Sequence, residues 1–206
     1  MTGIRVRAYS YNMRYSPEHK AQNRENILTV AARSFRENGG DSSGIGTVMK
    51  KVGLTKGGFY RHFKSKDDLF VEAVARAFEE TGRGMLEVAR SVPEGQGLRA
   101  IIEHYLSPRH ANSPGMGCVL SALGPELARK PLPVRKRIEA LREAYRDRLL
   151  PFVPGQTQEE KLAKYQVLFP SMAGVLTSAR MTLSSHKRDQ ILREARDFFI
   201  KSFAEE

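Results

Sequence analysis

Residues 53–69 read G-L-T-K-G-G-F-Y-R-H-F-K-S-K-D-D-L, and this run narrows the fold and the partner of the chain more than any other. Gly53 is a helix stop. Thr55 is placed to cap the next helix, because its hydroxyl can accept a hydrogen bond from a free N–H in a first helical turn. Lys56, Tyr60, Arg61, His62, Lys64 and Lys66 then put phosphate-contacting groups on a short segment. Phe59 and Phe63 stand four residues apart, so on a helix they share a face and can pin the segment to a core. The expected object is a small basic helix anchored by aromatics, the form in which a helix enters a DNA major groove. Gly57 and Gly58 each cost about 1 kcal/mol against Ala in a helix. Close approach to a DNA backbone is one reason to keep them, and a solvated turn is the plainer one.

Charge distribution points the same way. The formal net charge is +11, of which residues 1–66 carry +9 and residues 67–206 only +2. A generally basic protein predicts an even spread. A basic first third with a nearly neutral remainder fits a nucleic-acid-binding unit joined to a body with another task. The length of 206 residues exceeds what a lone helix-turn-helix module needs. No run of about 18 apolar residues is present, the N-terminus does not read as a secretory signal, and one cysteine excludes an internal disulfide framework. These features fit a cytoplasmic protein.

The periodicity is helical throughout, so the expected fold class is all-α. Residues 1–19 have no helical period; Arg5, Arg7 and Arg14 alternate with Tyr9, Tyr11 and Tyr15. They read as a flexible arm able to touch DNA phosphates, or as a tail or a start placed before Met13. From Lys20, Ile27, Leu28, Ala31, Ala32 and Phe35 mark an amphipathic helix that Asn38, Gly39 and Gly40 end. Ile45, Val48, Met49 and Val52 make a short second helix and residues 55–64 a third. Ser65 caps a fourth, with Asp67 and Asp68 in its first turn, expected to end near Gly82 or Gly84. Further helices are expected at 97–107, 118–128, 134–150, 158–183 and 186–202, the last but one opened by the capping box Thr157–Glu160 and kinked at Pro170. The division is 20–66 for DNA binding and 67–206 for effector binding and dimerisation.

The segments R-E-N-I-L-T-V-A-A-R-S-F-R-E-N-G and I-G-T-V-M-K-K-V-G-L-T-K-G-G-F-Y-R-H-F-K-S-K-D-D-L-F make residues 20–78 resemble the tetracycline-repressor (TetR) family of bacterial transcription regulators. The departure is Gly44, where the family usually has a Ser or Thr cap; Ser42 or Ser43 is an alternative cap. The resemblance implies an N-terminal three-helix DNA-binding domain, a helical effector domain, and dimerisation through the last two long helices; the spacing of Ala173, Gly174, Thr177 and Ser178 allows close helix approach, either in a dimer or within the chain. It makes Thr47, Thr55, Lys56, Gly57, Tyr60, His62 and Lys66 the DNA-contacting candidates.

For the body, Tyr105, Met116, Cys118, Tyr145, Phe169, Met172 and Arg180 are candidates to line an apolar effector cavity. Cys118 follows a glycine-rich loop at a helix start, where a thiol can become reactive, but a free cysteine is more often a small buried apolar residue. His104, His110, His186 and Cys118 show no metal-ligand spacing, and no nucleophile or acid pair is supported by its context. The expectation is a homodimeric repressor without cofactor or enzymatic activity, released from a double-stranded DNA operator by a small molecule. The alternatives are an effector-free architectural DNA-binding protein and a thiol-based sensor.

Overall fold

Ser16 accepts a hydrogen bond from the His19 N–H at 3.2 Å, and Pro17 fills the first helical position. Helix α1 therefore runs Pro17–Asn38, three residues ahead of the sequence expectation. The computed structural model describes residues 16–205, so the reading of an arm or a misplaced start for residues 1–15 lies outside the described residues. Gly39, at φ 82°, ends α1 in a backbone conformation that suits glycine. Helix α2 spans Ile45–Lys51 with Gly44 at its cap position. Neither proposed serine caps it: the Ser43 hydroxyl donates to the Ser34 carbonyl inside the fold.

The third element departs from expectation. Residues Lys56–Arg61 form a 3₁₀ helix, and Thr55 makes no side-chain cap bond. The two adjacent glycines weaken an α-helix here. What holds the turn is Phe59, fully buried, stacked on Phe63 at 5.6 Å and anchored among α1 and α2 residues such as Met49 and Ile27. Burying a Phe contributes about 1.5–3 kcal/mol, enough to offset the glycine penalties.

Helix α3, Lys66–Arg90, starts as expected, with Ser65 accepting from the Asp68 N–H at 3.0 Å. It does not stop at Gly82 or Gly84. Both glycines sit inside the helix, and at Gly82 a Cβ would lie 3.0 Å from the Tyr145 ring. Long α3 thus packs on α1, α4 and α7. The body continues with α4 (Gly97–Tyr105), α5 (Pro108–Ala111), a 3₁₀ turn at Pro114–Met116, α6 (Val119–Arg129), α7 (Leu132–Leu149), α8 (Gln158–Met181) and α9 (Ser185–Phe203). Thr157 caps α8 through the Glu160 N–H, and α8 passes Pro170 without a break. Among the described residues there is no strand, and no helix is long and apolar enough to cross a membrane.

Candidate nucleic-acid interface and the cleft behind it

From residue 42 to residue 66 the chain holds six lysines and arginines and no carboxylate. The fold exposes all of them but Lys66, which is half-buried. Thr47 is exposed on α2, and Thr55, Lys56, Gly57, Arg61 and Lys64 are exposed on or beside the 3₁₀ turn. Tyr60 is 71% exposed although its neighbour Phe59 is fully buried. A large aromatic left in water next to a buried one suits a surface that is covered by a partner. A Cβ on Gly57 would meet nothing within 4 Å, so packing does not explain this glycine. The structure brings Thr55, Lys56, Gly57 and Tyr60 together on one short turn, with Thr47 on the helix before it.

Two candidates are more committed to the fold. His62 is half-buried, and burial, then Lys20, Arg24 and Arg61, lower its pKa below the ordinary histidine range. Lys66 donates to the Asp41 carbonyl at 3.3 Å, tying the start of α3 to the loop before α2.

Behind this surface the N-terminal elements are fastened to the body at two places that the sequence did not disclose. Arg36 has a side chain only 1% exposed. It donates to the Ala32 carbonyl, to the Gly117 carbonyl at 3.2 Å and to Glu80 at 2.6 Å. The second fastening is the Gly40 N–H, which donates to Glu126 at 2.8 Å. Lys130 bonds Asp41 at 2.7 Å and Glu126 at 3.0 Å while lying 4.5 Å above the Phe70 ring. A Cβ at Gly40 would fall 2.3 Å from Phe70, so only glycine lets the loop seat here. Ion pairs Arg24–Glu72 and Arg76–Glu25 also join α1 to α3. A charged residue on the apolar face of α1, one step from Phe35, was the available sequence signal for Arg36.

Apart from Met116, which is exposed, the predicted effector residues lie in the body interior. Tyr105 and Met172 are fully buried, with Phe169, Cys118 and Tyr145 nearly so. Burial pushes both the Tyr105 and Tyr145 hydroxyls well above their ordinary pKa. Tyr145 bonds the Met85 sulfur at 3.3 Å, while the Tyr105 hydroxyl, beside Cys118, makes no well-formed hydrogen bond. Arg180 spends its donors on the Ala111 and His110 carbonyls and on Ser121, which stitches α8 to α5 and α6. Of the candidates, Met116 lines the open cleft of the body and the other six do not.

That cleft, about 500 Å³, lies between α3 and the segment from α4 to residue 116. Its walls include Glu80, Thr81, Met85, His104, His110 and Met116. His110 is held as a neutral ring: Nδ1–H donates to the Tyr105 carbonyl at 2.7 Å and Nε2 accepts from the Cys118 N–H at 2.9 Å. Burial, aided by Arg180 and opposed by the Tyr105 bond, lowers its pKa to about 4. Nothing in the spacing of these residues marks them as neighbours; only the turn at Pro114–Met116 places Met116 against α3.

With the surface and cleft defined, comparison with known proteins places the chain. Residues 27–73 match the family described as bacterial regulatory proteins, tetR family. The HTH-type transcriptional regulator AcrR of Shigella flexneri is 35% identical over 95 residues, 45% of this chain and 44% of that protein. The HTH-type transcriptional repressor BepR of Brucella suis is 35% identical over 78 residues, 38% of this chain and 37% of that one. The matched stretches thus span less than half the length of these two relatives. The crystal structure of a TetR transcriptional regulator from Chloroflexus aurantiacus shares the fold over 90% of this chain and 98% of its own, with a TM-score of 0.72 at 20% identity.

Proposed function

We propose that this chain, which belongs to the TetR family of bacterial transcriptional regulators, binds an operator in double-stranded DNA as a homodimer and leaves it when a small molecule occupies the body. The observation that carries the DNA reading is the acid-free basic surface at residues 42–66, with Tyr60 and Gly57 presented outward by buried Phe59 and Phe63. Thr47, Thr55, Lys56, Gly57 and Tyr60 form the contact surface, with Lys66 and His62 at its edge. Lysines supply salt-sensitive phosphate attraction, and a bare backbone at Gly57 admits a phosphate closely.

The dimer reading rests on α8. Val167, Ser171, Gly174, Ser178 and Met181 recur at intervals of three and four, and all are exposed. Phe198 on neighbouring α9 is 64% exposed as well. A stripe of small and apolar side chains left in water is the face on which a second copy packs. A cytoplasmic location and the role of a repressor belong to the same reading. The rival, an architectural DNA-binding protein with no effector, predicts sequence-indifferent binding.

Selection from a random duplex library with the full chain separates the two. The regulator reading expects a near-palindrome with half-sites about 34–36 Å apart, centre to centre. Recovery of unrelated sequences with equal affinity would favour the architectural rival.

A further inference from the structure

We propose that the cleft beside α3 is the effector site, that it takes a small molecule presenting an apolar body to Met85 and Met116 and a hydrogen-bond donor to Glu80, and that Arg36 passes its occupancy to the DNA-binding surface. This inference rests on the regulator reading above and assigns its site and its coupling.

The geometry starts with Glu80. One carboxylate oxygen, Oε2, is held by Arg36 at 2.6 Å; the other makes no hydrogen bond among the described residues, and the residue lines the cleft. A half-exposed acceptor beside two methionines recognises a donor on an otherwise apolar molecule. A donor that draws Glu80 toward the cleft competes directly with Arg36.

Arg36 is where that competition is felt. It belongs to α1, whose Ile27, Phe35 and neighbours share a core with Met49 and Phe59 under the basic surface. Its remaining long-range bond goes to the Gly117 carbonyl, next to Met116 of the cleft wall. The segment between α5 and α6 is wedged on both sides. A Cβ at Gly115 would lie 2.4 Å from Glu37 of α1, and one at Gly117 would lie 2.6 Å from Arg180 and 2.8 Å from His110. His110 accepts from the Cys118 N–H beside this turn, so displacement of Met116 or His110 carries the Gly117 carbonyl with it against Arg36. Packed elements of this kind shift between discrete arrangements rather than deform smoothly. Both walls of one cleft therefore end on one guanidinium of the DNA-binding unit.

The test supplies an effector of known chemistry by tethering it. In a Cys118→Ala background, Met116→Cys is labelled with methanethiosulfonates that attach a methyl, an aminoethyl or a sulfonatoethyl group through a disulfide. Affinity for the selected duplex and amide hydrogen exchange over residues 39–63 are both read. The aminoethyl label should weaken DNA binding about 5–150-fold, the span of ordinary coupling between sites, and should raise exchange. The methyl and sulfonatoethyl labels should do much less. Glu80→Gln, which keeps the side-chain volume, should remove most of the difference between heads. Equal effects from all three heads would overturn the donor assignment, and no effect from any head would overturn the relay. If no duplex is selected at all, the regulator reading has failed, and the exchange comparison still decides whether the cleft and Arg36 are coupled.

Discussion

Replacing Arg36 by Met keeps most of the buried volume and deletes the guanidinium, which isolates the polar fastening of α1. Three bonds are lost: one within α1 to Ala32, one to the Gly117 carbonyl, and one to Glu80. Hydrogen bonds to charged groups contribute about 1.5–3 kcal/mol each when a partner is left behind. Two features reduce the sum. Gly117 still faces the Thr81 hydroxyl at 3.4 Å, and Glu80, 23% exposed, can turn to water in the cleft. Removing Arg36 also removes the cost of desolvating it. The net loss should be about 3 kcal/mol, the low end for breaking one half of a buried pair. For a chain of this size that lowers the melting temperature by roughly 6–12 °C. Thermal unfolding of the full chain, followed by circular dichroism at fixed protein concentration, measures it. The double variant Arg36→Met, Glu80→Leu should recover much of the loss, because no charge is then stranded. A single variant as stable as the parent would refute the reasoning, since it would show that Glu80 and Gly117 never depended on Arg36.

Three further outcomes are expected. His110 is neutral in the fold with a pKa of about 4 against an ordinary 6.5, so the unfolded chain binds the extra proton between those values. Its contribution is fully present above pH 6.5 and is lost as pH falls toward 4, with a slope of at most about 1.4 kcal/mol per pH unit. Urea unfolding at pH 7 and pH 5 should show this loss, and His110→Gln should flatten it. Gly40→Ala should destabilise by about 1–3 kcal/mol through the clash with Phe70, whereas Gly57→Ala should leave the melting temperature within a few degrees and weaken duplex binding in a mobility-shift titration. Phe198→Glu should shift sedimentation toward a monomer without loss of helical signal, and an unchanged sedimentation coefficient would count against the α8–α9 seam.

The helical architecture was legible because each amphipathic stripe and most caps are local: Ser65, Thr157 and the apolar spacing of Ile27 to Phe35 need no tertiary knowledge. Phe59 and Phe63 were readable as anchors for the same reason. The end of α3 was not, because Gly82 and Gly84 are helix-breakers by propensity, which the packing of α3 on α4 and α7 overrides. The 3₁₀ form of Lys56–Arg61 likewise comes from how Phe59 is seated rather than from composition. In the body, aromatic and methionine residues were the only sequence signal for a cavity. All of them but Met116 are interior packing, and the open cleft joins Met116 to side chains such as Glu80 and His110 that converge only when a turn folds back on α3. Arg180, read as an anchor for an effector, is occupied in joining three helices.

The central claim, that residues 42–66 hold duplex DNA through its phosphates, is tested most directly by the salt dependence of operator affinity. If each copy of a dimer neutralises three phosphates, the logarithm of the association constant should fall against the logarithm of salt with a slope of about −5. Lys56→Ala should make that slope shallower by about 1 for each phosphate contact removed. A slope near zero in the parent protein, or one that Lys56→Ala leaves unaltered, would contradict the account.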